Sequence, residues 1–270
     1  MSSSENETVA VVTGGARGFG LEIATRLIAR GHTVLVTDLD QSAVDAAVAT
    51  LGPRARGRVA DAADAGAHRE TAAAAAGLGQ VGVWVNNAGV AWAAKSWEHP
   101  EREVELTVTI NLLGVIHGSR AAVEVMRASG GGHILNIGSM SSFGPVPGLA
   151  VYAATKAAVL SFTTSLQGDL DLAGIPIRAH VLCPDAADTA MVRGAQSQPD
   201  AAILFSGWSL LDPGKVADAA IELLDGNRIV KAMPSYRAAM SRAGALVPTA
   251  GLRAMRLMRR IGERTRVKEA

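Results

Sequence analysis

Short runs of β-branched and apolar residues alternate with longer alanine-rich segments along most of the chain. The runs predict seven strands, at residues 8–13, 33–37, 58–61, 81–86, 133–138, 177–183 and 228–231. The segments between them predict helices, near residues 21–30, 41–51, 63–76, 101–127, 151–173 and 213–224. Because parallel strands need crossover connections, which helices usually supply, this alternation predicts an α/β fold. The expected architecture is a doubly wound parallel sheet with helices on both faces.

Length and composition fit one large domain with a buried core. The chain has 270 residues, of which 49% are hydrophobic and 19% are charged, as is usual for a globular α/β domain. A single cysteine, Cys183, excludes an internal disulfide and indicates a reducing compartment. The first residues are polar and lack the pattern of a secretory signal peptide. The chain has no uninterrupted run of ~18 apolar residues, so we expect no membrane-spanning helix. We therefore expect a cytoplasmic protein.

Charge is distributed unevenly between the body of the chain and its C-terminal end. From Arg237 onward there are nine Lys or Arg residues and two Asp or Glu residues, a net charge of +7. Because the whole chain carries +1, the preceding residues carry −6. The acidic body gives no reason to expect a nucleic acid partner, whereas the basic end fits an anionic surface.

A glycine-rich stretch, VVTGGARGFG, joins the first predicted strand to the first predicted helix. Gly14, Gly18 and Gly20 have no Cβ, so an anionic ligand can approach the backbone amides closely. The amino end of a helix adds free N–H groups and a positive dipole end. An ordinary tight turn is the alternative interpretation. The position between a strand and a helix favours a site for the pyrophosphate of a dinucleotide.

Two charged residues bear on which dinucleotide is bound. Asp38 follows the second predicted strand, 18 residues after Gly20, close to the ~20 residues expected for an acid that binds the adenosine ribose. A carboxylate there accepts hydrogen bonds from both ribose hydroxyls and repels a 2′-phosphate, which favours NAD. Arg17 favours NADP, because a guanidinium is a natural partner for a phosphate. We expect NAD, with NADP as the alternative. The alternative interpretation of Asp38 is a solvated acid in a loop, with no role in binding.

The stretch ILNIGSMSSFGPVPGLAVYAATKAAVLSF, residues 134–162, runs from a predicted strand through a Ser/Gly/Pro loop into a helix. Tyr152 and Lys156 are four residues apart in that helix and so share one face. Ser139 ends the strand, thirteen residues before Tyr152. A Tyr–Lys pair at this spacing is by itself most often an exposed pair without function. Its meaning depends on the motifs around it.

Five motifs in order give the chain a resemblance to the short-chain dehydrogenase/reductase family. They are T-G-x-x-x-G-x-G at residues 13–20, N-N-A-G at residues 86–89, Asn111 within TINLLG, Ser139, and Y-x-x-x-K from Tyr152 to Lys156. The resemblance extends to about Pro234. It implies a Rossmann-type sheet in a single domain, residues 1–234, followed by a basic helical extension over residues 235–270.

The resemblance implies a role for each residue of the catalytic set. Tyr152 is the expected acid–base, and Ser139 is expected to hydrogen-bond the substrate oxygen. Lys156 is expected to hold the nicotinamide ribose, and Asn111 to position a water that links Lys156 to solvent. A free tyrosine has a pKa near ~10, and the Lys156 ammonium together with a positive nicotinamide is expected to lower that pKa.

The same resemblance predicts which residues line the dinucleotide site. Most of them follow predicted strands or belong to the glycine-rich loop. The expected set is Gly14, Arg17, Gly18, Gly20, Asp38, Asp61, Asn87, Ala88, Gly89, Tyr152, Lys156, Pro184 and Thr189. Asp61 is expected at the adenine, and Thr189 at the nicotinamide carboxamide. Asp185 stands where the family has glycine, and aspartate is among the few other residues that tolerate left-handed backbone angles.

Residues 186–212 are expected to form a substrate lid. Their apolar members favour a small hydrophobic alcohol or ketone as substrate, and packing of the lid on the body explains them equally well. These members are Met191, Val192, Ile203, Leu204, Phe205, Trp208 and Leu210.

Residues 251–268 predict a helix with two contrasting sides. The apolar side has Leu252, Met255, Leu257, Met258 and Ile261, and the basic side has Arg253, Arg256, Arg259, Arg260 and Arg264. This pattern is typical of a helix on an anionic membrane surface or docked on a partner. A helix packed on its own domain with a solvated basic side is the simpler explanation.

Together these patterns predict an NAD-dependent oxidoreductase that transfers a hydride between nicotinamide and a secondary alcohol or ketone. The alternatives are an NADPH-dependent carbonyl reductase and a dinucleotide-sensing protein that does no chemistry. The scattered histidines have no ligand spacing, so we expect no metal site. The family resemblance implies a homodimer or homotetramer. The C-terminal tail could obstruct one contact of a tetramer. Its basic helix leads to a further expectation, which is peripheral contact with a membrane.

Overall fold

The computed structural model describes residues 8–207 and 209–269, so Trp208 of the expected lid lies outside the described residues. Seven strands occur in this part of the chain and form one sheet. They are β1 (Thr8–Thr13), β2 (Thr33–Asp38), β3 (Ala55–Val59), β4 (Gln80–Asn86), β5 (Gly132–Ile137), β6 (Ile177–Pro184) and β7 (Val230–Met233). All pairings are parallel. The order 3-2-1-4-5-6-7 reverses at β1, which confirms the predicted doubly wound sheet.

Helices cover both faces of the sheet. They are α1 (Gly18–Ala29), α2 (Gln41–Leu51), α3 (Ala65–Ala76), α4 (Glu101–Val108), α5 (Gly114–Ser129), α6 (Ala150–Leu172), α7 (Ala190–Gly194), α8 (Pro213–Asp225), α9 (Ser235–Leu246) and α10 (Pro248–Glu269). Two short 3₁₀ helices, Met140–Phe143 and Pro199–Phe205, lie in the loops that follow β5 and α7.

Alternate residues of β1 enter two separate hydrophobic cores. Ala10 and Val12 pack in the core that contains Ile23 of α1 and residues of α8. Val9 and Val11 face the opposite core, with residues of α3, α5 and α6. Because side chains of a strand point alternately to its two faces, a central strand that is covered on both sides is apolar throughout.

The third strand was predicted too late in the chain. The prediction placed it at residues 58–61, whereas β3 spans Ala55–Val59 and pairs with β2 through Arg56 opposite Leu35. β3 is an edge strand, and of its residues only Ala55 is buried. An edge strand needs few apolar residues, so hydrophobic pattern could not set its register.

The helix predicted at residues 101–127 is interrupted. α4 and α5 are joined by a π-helical turn, Thr109–Leu113, that contains Asn111. By length and composition alone, the segment Glu101–Ser129 could cross a membrane. Part of its apolar surface is buried inside the protein, because Ala121, Ala122 and Met126 pack in the core under β4 and β5.

The tail contains two helices, α9 and α10, where the sequence predicted one, and the predicted apolar side of α10 is split. Met255 and Met258 are half-buried, whereas Leu257 and Ile261 are 61% and 45% exposed. Gly262, which was not assigned to either side, packs closely against the lid. A Cβ on Gly262 would overlap the carbonyl oxygen of Ala202 in the lid.

Candidate active site

The carboxyl ends of the strands bring predicted site residues to one edge of the sheet. Gly14 follows β1, Asp38 ends β2, and Ser139 follows β5. β1 lies between β2 and β4, where the strand order reverses. Ligands of open α/β sheets bind in the crevice at this point.

The glycine-rich loop packs tightly against the segment that follows β4. A Cβ on Gly14 would lie 2.8 Å from the Cα of Ala88, and one on Gly20 would overlap the carbonyl oxygen of Gly14. Gly14 and Gly18 have φ angles of 59° and 55°, which other residues rarely adopt. The packing of the loop itself therefore requires glycine at positions 14 and 20, in addition to the space that a ligand needs.

The amino end of α1 fits an anion. Its N-cap residue, Arg17, has an extended backbone, and the Arg17 side chain makes no capping hydrogen bond. The first N–H groups of a helix have no partner within the helix, and the positive dipole end adds to their attraction for a phosphate. The residues present therefore fit the pyrophosphate of a dinucleotide.

Asp38 and Arg17, which favour different dinucleotides, lie beside each other. Nη2 of Arg17 is 3.7 Å from Oδ1 of Asp38. The Asp38 side chain is 10% exposed and accepts the N–H of Leu39 at 2.8 Å, whereas the Arg17 side chain is 68% exposed. The carboxylate is thus the fixed member of this pair.

Asn87 and Asp61 use side-chain atoms to hold backbone segments. Nδ2 of Asn87 donates to the carbonyl oxygens of Thr13 and Gly14, at 2.9 and 2.8 Å. Oδ1 of Asp61 accepts the N–H of Ala63 at 2.8 Å, and Asp61 stays exposed at the edge of the sheet. Asn87 therefore fixes the glycine-rich loop to β4, while Asp61 remains accessible to a ligand.

Ser139 and Ser142 hold the loop after β5. Oγ of Ser139 accepts the N–H of Ser141 at 3.1 Å, and Oγ of Ser142 donates to the carbonyl oxygen of Lys156 at 2.8 Å. Ser142 is buried in this contact. Ser139 is the serine that hydrogen-bonds Tyr152, so the loop brings its hydroxyl to the phenol.

Tyr152 and Lys156 lie one turn apart on α6, as their spacing predicts. Nζ of Lys156 is 5.7 Å from the centre of the Tyr152 ring and donates to the carbonyl oxygen of Ile137 at 2.8 Å. Lys156 is 4% exposed, and this burial lowers its pKa to about 8.

The protein groups by themselves do not lower the pKa of Tyr152. Burial raises that pKa, and the hydrogen bond with Ser139 offsets part of the rise. The lowered pKa was predicted for Lys156 acting together with a bound nicotinamide, so it stays a prediction. Helical spacing places Lys156 on the same face as the phenol, but the ammonium points to the carbonyl of Ile137. The predicted lowering of the Tyr152 pKa also depends on the positive nicotinamide, which is not a protein group.

Asn111 ties the π-helical turn to the segment after β4. It is fully buried, its Oδ1 accepts the N–H of Val90, and its Nδ2 donates to the carbonyl oxygen of Val90, both at 2.8 Å. A Cβ on Gly89 would lie 3.2 Å from Oδ1 of Asn111 and 3.8 Å from Nζ of Lys156. Nδ2 of Asn111 also lies 3.5 Å from Oγ1 of Thr155 on α6. Asn111 therefore holds this segment beside Lys156.

Asp185 forms an ion pair that the sequence did not predict. Its Oδ1 accepts the N–H of Ala186 at 2.9 Å, and its Oδ2 accepts Nη1 of Arg237 from α9. Nη2 of Arg237 donates to Oγ of Ser206 at 3.1 Å. Burial raises the pKa of Asp185 even though Arg237 opposes the rise. All positive φ angles among the described residues belong to glycines, so Asp185 takes the place of the family's glycine without a left-handed backbone.

Pro184 and Thr189 mark the start of the lid. Pro184 is the buried last residue of β6, and Thr189 caps α7 by accepting the N–H of Val192 at 3.4 Å. A Cβ on Gly18 would lie 3.8 Å from Cγ2 of Thr189. The lid therefore starts directly opposite the glycine-rich loop.

Most of the apolar lid residues are used in packing. Val192, Ile203 and Phe205 are buried, and Leu204 and Leu210 are half-buried. Met191, in contrast, is 44% exposed. Packing of the lid thus accounts for much of its apolar composition.

A buried polar network under the crevice was also missed. Nε1 of Trp84 donates to Oδ1 of Asn86 at 2.9 Å, and Nδ2 of Asn86 donates to Oδ1 of Asn136 at 2.8 Å. Nδ2 of Asn136 donates to Oγ1 of Thr163 at 2.9 Å. Polar residues inside otherwise apolar strands were the signal that could have revealed it, since buried polar groups need partners.

The family model described as short chain dehydrogenase matches residues 8–200. This chain belongs to the short-chain dehydrogenase/reductase family. It is 36% identical over 228 residues to 1-deoxy-11-beta-hydroxypentalenate dehydrogenase of Streptomyces avermitilis, with 82% of each chain covered. It is 35% identical over 202 residues to 2-(R)-hydroxypropyl-CoM dehydrogenase of Xanthobacter autotrophicus, covering 71% of this chain and 79% of the relative.

A solved structure shares the fold of this short-chain dehydrogenase/reductase. The enzyme from Burkholderia phymatum, in complex with NAD, superposes with a TM-score of 0.81 at 26% identity. The match covers 88% of this chain and 92% of that chain. The chain is therefore an oxidoreductase of this family, with a Rossmann-type fold for binding a dinucleotide, and acts on CH–OH groups.

Proposed function

We propose that this short-chain dehydrogenase uses NAD to interconvert a hydrophobic secondary alcohol and its ketone. Asp38 supports the choice of NAD, because its carboxylate is fixed at the end of β2 with 10% exposure. A fixed carboxylate at the ribose accepts hydrogen bonds from its hydroxyls and repels a 2′-phosphate. The relative from Burkholderia phymatum, which holds NAD, supports the same choice.

The proposed mechanism assigns proton transfer to Tyr152. Bound NAD would accept a hydride at the nicotinamide ring when the alcohol is oxidised, and NADH would supply it when the ketone is reduced. Tyr152 takes the hydroxyl proton of the alcohol or returns it to the ketone, and Ser139 donates a hydrogen bond to the substrate oxygen. Lys156, one turn away, would favour the phenolate together with the positive charge of the bound nicotinamide. Burial raises the pKa of Tyr152, and the Lys156 ammonium donates to the carbonyl of Ile137, so this step needs both positive charges.

The lid supports a hydrophobic substrate, and the relatives support a hydroxylated one. Two relatives are named for hydroxylated compounds, a hydroxypentalenate and a hydroxypropyl-CoM. In this chain the lid is apolar, and Met191 of α7 keeps 44% of its surface exposed two residues after Thr189. A screen of steroids, terpenoid alcohols and medium-chain ketones with both NAD and NADP tests the substrate class.

Tyr152→Phe should abolish turnover of a substrate found in that screen and leave NAD binding nearly unchanged. The substitution removes the acid–base hydroxyl and keeps the ring. Tyr236→Phe is a matched control, because the chain has two tyrosines and Tyr236 is exposed on α9. Steady-state rates and fluorescence titration of NAD measure both effects. Full turnover by the Tyr152 variant would contradict the mechanism, as would equal losses in the two variants.

Arg17 supports an NADPH-dependent reductase as the second candidate. Its side chain is 68% exposed, although it pairs with Asp38 at 3.7 Å, so a 2′-phosphate can reach it. Fluorescence titration with both dinucleotides distinguishes the candidates, and tighter binding of NADP would contradict the assignment to Asp38.

We propose further that the enzyme forms a homodimer through the helices that carry Asn111 and Tyr152. An apolar groove between these helices supports this surface. The groove is lined by Val108, Leu112, Ala150, Val151, Ala154 and Thr155. Sedimentation should show a dimer, and a compact tetramer would contradict an obstructing role of the tail.

A further inference from the structure

The two C-terminal helices carry a concentration of exposed apolar residues. In the described chain, seven of the fourteen exposed large hydrophobic residues lie between positions 236 and 261. They are Tyr236, Met240, Leu246, Val247, Leu252, Leu257 and Ile261. Single exposed apolar residues are normal, whereas a concentration of them indicates an interaction surface.

The inner side of α10 is occupied by the lid. Gly262 packs against the backbone of Ala202, and Nη2 of Arg259 is 3.0 Å from Oδ1 of Asp200. Met255 and Met258 are half-buried on this side. These contacts attach α10 to the domain, so its opposite side is presented outward.

The outer face of α10 consists of Arg253, Leu257, Arg260, Ile261 and Arg264. Leu257 follows Arg253 by four residues, and Ile261 follows Leu257 by four, so the three lie in one row. Arg260 and Arg264 each follow an apolar member of this row by three residues. All five are exposed, and Leu257 and Ile261 are 61% and 45% exposed.

The positive charge on this face is not neutralised by residues of the described part of the chain. Among the described residues, Arg253, Arg260 and Arg264 have no hydrogen-bond or ion-pair partner. Glu263 is the single acidic residue between positions 246 and 265, and it pairs with Arg259. The outer face therefore combines unpaired arginines with exposed apolar side chains.

We propose that the outer face of α10 binds the anionic surface of a lipid bilayer. Leu257 and Ile261 enter the boundary between headgroups and acyl chains, and the flanking arginines contact anionic headgroups. Charge complementarity selects this partner over a second copy of the face, which would bring arginines against arginines. A bilayer also accepts a single convex helix, whereas a protein partner must supply a groove for it.

Vesicle flotation with the full-length chain tests this proposal. We expect binding to vesicles of phosphatidylcholine mixed with phosphatidylglycerol, little binding to phosphatidylcholine alone, and weaker binding as salt rises. The triple substitution R253Q/R260Q/R264Q should lower the partition coefficient roughly a hundredfold, as expected for three arginines near anionic lipid. L257S/I261S should weaken binding through lost apolar insertion.

A matched control removes the same charge from the body of the protein. R69Q/R102Q/K215Q replaces three exposed cationic residues outside the tail and should bind anionic vesicles like the parent. Circular dichroism and NAD titration of every variant verify the fold. The proposal is overturned if the parent does not bind anionic vesicles, or if the control loses as much binding as the tail variant. It is also overturned if the tail substitutions change only the sedimentation behaviour, which would assign the face to contacts between copies.

Discussion

Lys156 shows how burial changes the chemistry of one residue. It is 4% exposed, its ammonium donates to the carbonyl of Ile137, and burial lowers its pKa to about 8. Tyr152, one turn away, has its pKa raised by the same burial. Loss of water disfavours the charged form of each group, so burial favours the neutral forms of both Tyr152 and Lys156.

Lys156→Met should stabilise the cofactor-free protein at neutral pH by about 2 kcal/mol. The pKa is about 8 in the folded state, against an ordinary value of 10.5. The unfolded state therefore binds the proton more tightly, and the cost of burial is complete below about pH 8 and is relieved as pH rises toward 10.5. Urea unfolding should show stability rising across this range in the parent and a flatter profile in the variant. Identical profiles would contradict a buried ammonium.

Asp38→Ser should invert the preference between NAD and NADP. The serine loses charge-assisted hydrogen bonds to the ribose, which lowers NAD affinity by roughly tenfold to a hundredfold. It also frees Arg17 from its carboxylate partner at 3.7 Å, so NADP affinity rises. Asp45→Ser, at an exposed position of α2, is the control and should keep the preference of the parent. An unchanged ratio of the two dissociation constants in the Asp38 variant would refute its role.

At the scale of elements, the strongly periodic segments were predicted well, and the exceptions depend on contacts between segments that are distant in the sequence. The alternation of strands and helices was confirmed, and the second strand ends one residue later than predicted, at Asp38. The π-helical turn was not predicted, because it depends on Asn111 reaching the backbone of Val90, 21 residues away. The register of β3 depends on pairing with β2 rather than on its own pattern.

Gly262→Ala should detach α10 from the lid and destabilise the protein by about 1–3 kcal/mol. The added Cβ meets the carbonyl oxygen of Ala202, and backbone atoms cannot move aside as a side chain can. Gly168→Ala in α6 is the control, because a Cβ there meets nothing within 4 Å. It should stabilise by up to about 1 kcal/mol, since alanine is the better helix former. Thermal unfolding compares the two, and equal shifts would show that α10 does not depend on this contact.

At the scale of the whole molecule, the tail is connected to the active-site edge through Arg237. This residue of α9 pairs with Asp185 after β6 and donates to Ser206 of the lid. The Arg237 and Asp185 side chains are 14% and 18% exposed. One guanidinium therefore joins three separate segments, and the expected lid is held from the side of the tail.

Asp185→Ala should destabilise the protein by about 2–4 kcal/mol, because Arg237 is left buried without its partner. Replacing both residues, as Asp185→Ala with Arg237→Met, should recover most of this loss. Burial raises the pKa of Asp185, which shows that burying its charge is costly, and a pair of apolar residues avoids the cost of burying charges. Urea unfolding of the two single variants and the double variant measures the coupling. Additive losses would mean that the two groups do not interact.

The sequence by itself determined the order of strands and helices, the glycine-rich loop, and the positions of Ser139, Tyr152 and Lys156. These features depend on periodicity and short spacing, which are local properties of the chain. Only the tertiary structure decided that the ammonium of Lys156 points to Ile137, that Asp185 meets Arg237, and which side of α10 faces the lid. Each of these depends on groups that are distant in the sequence and are brought together by packing, and no local pattern encodes such a meeting.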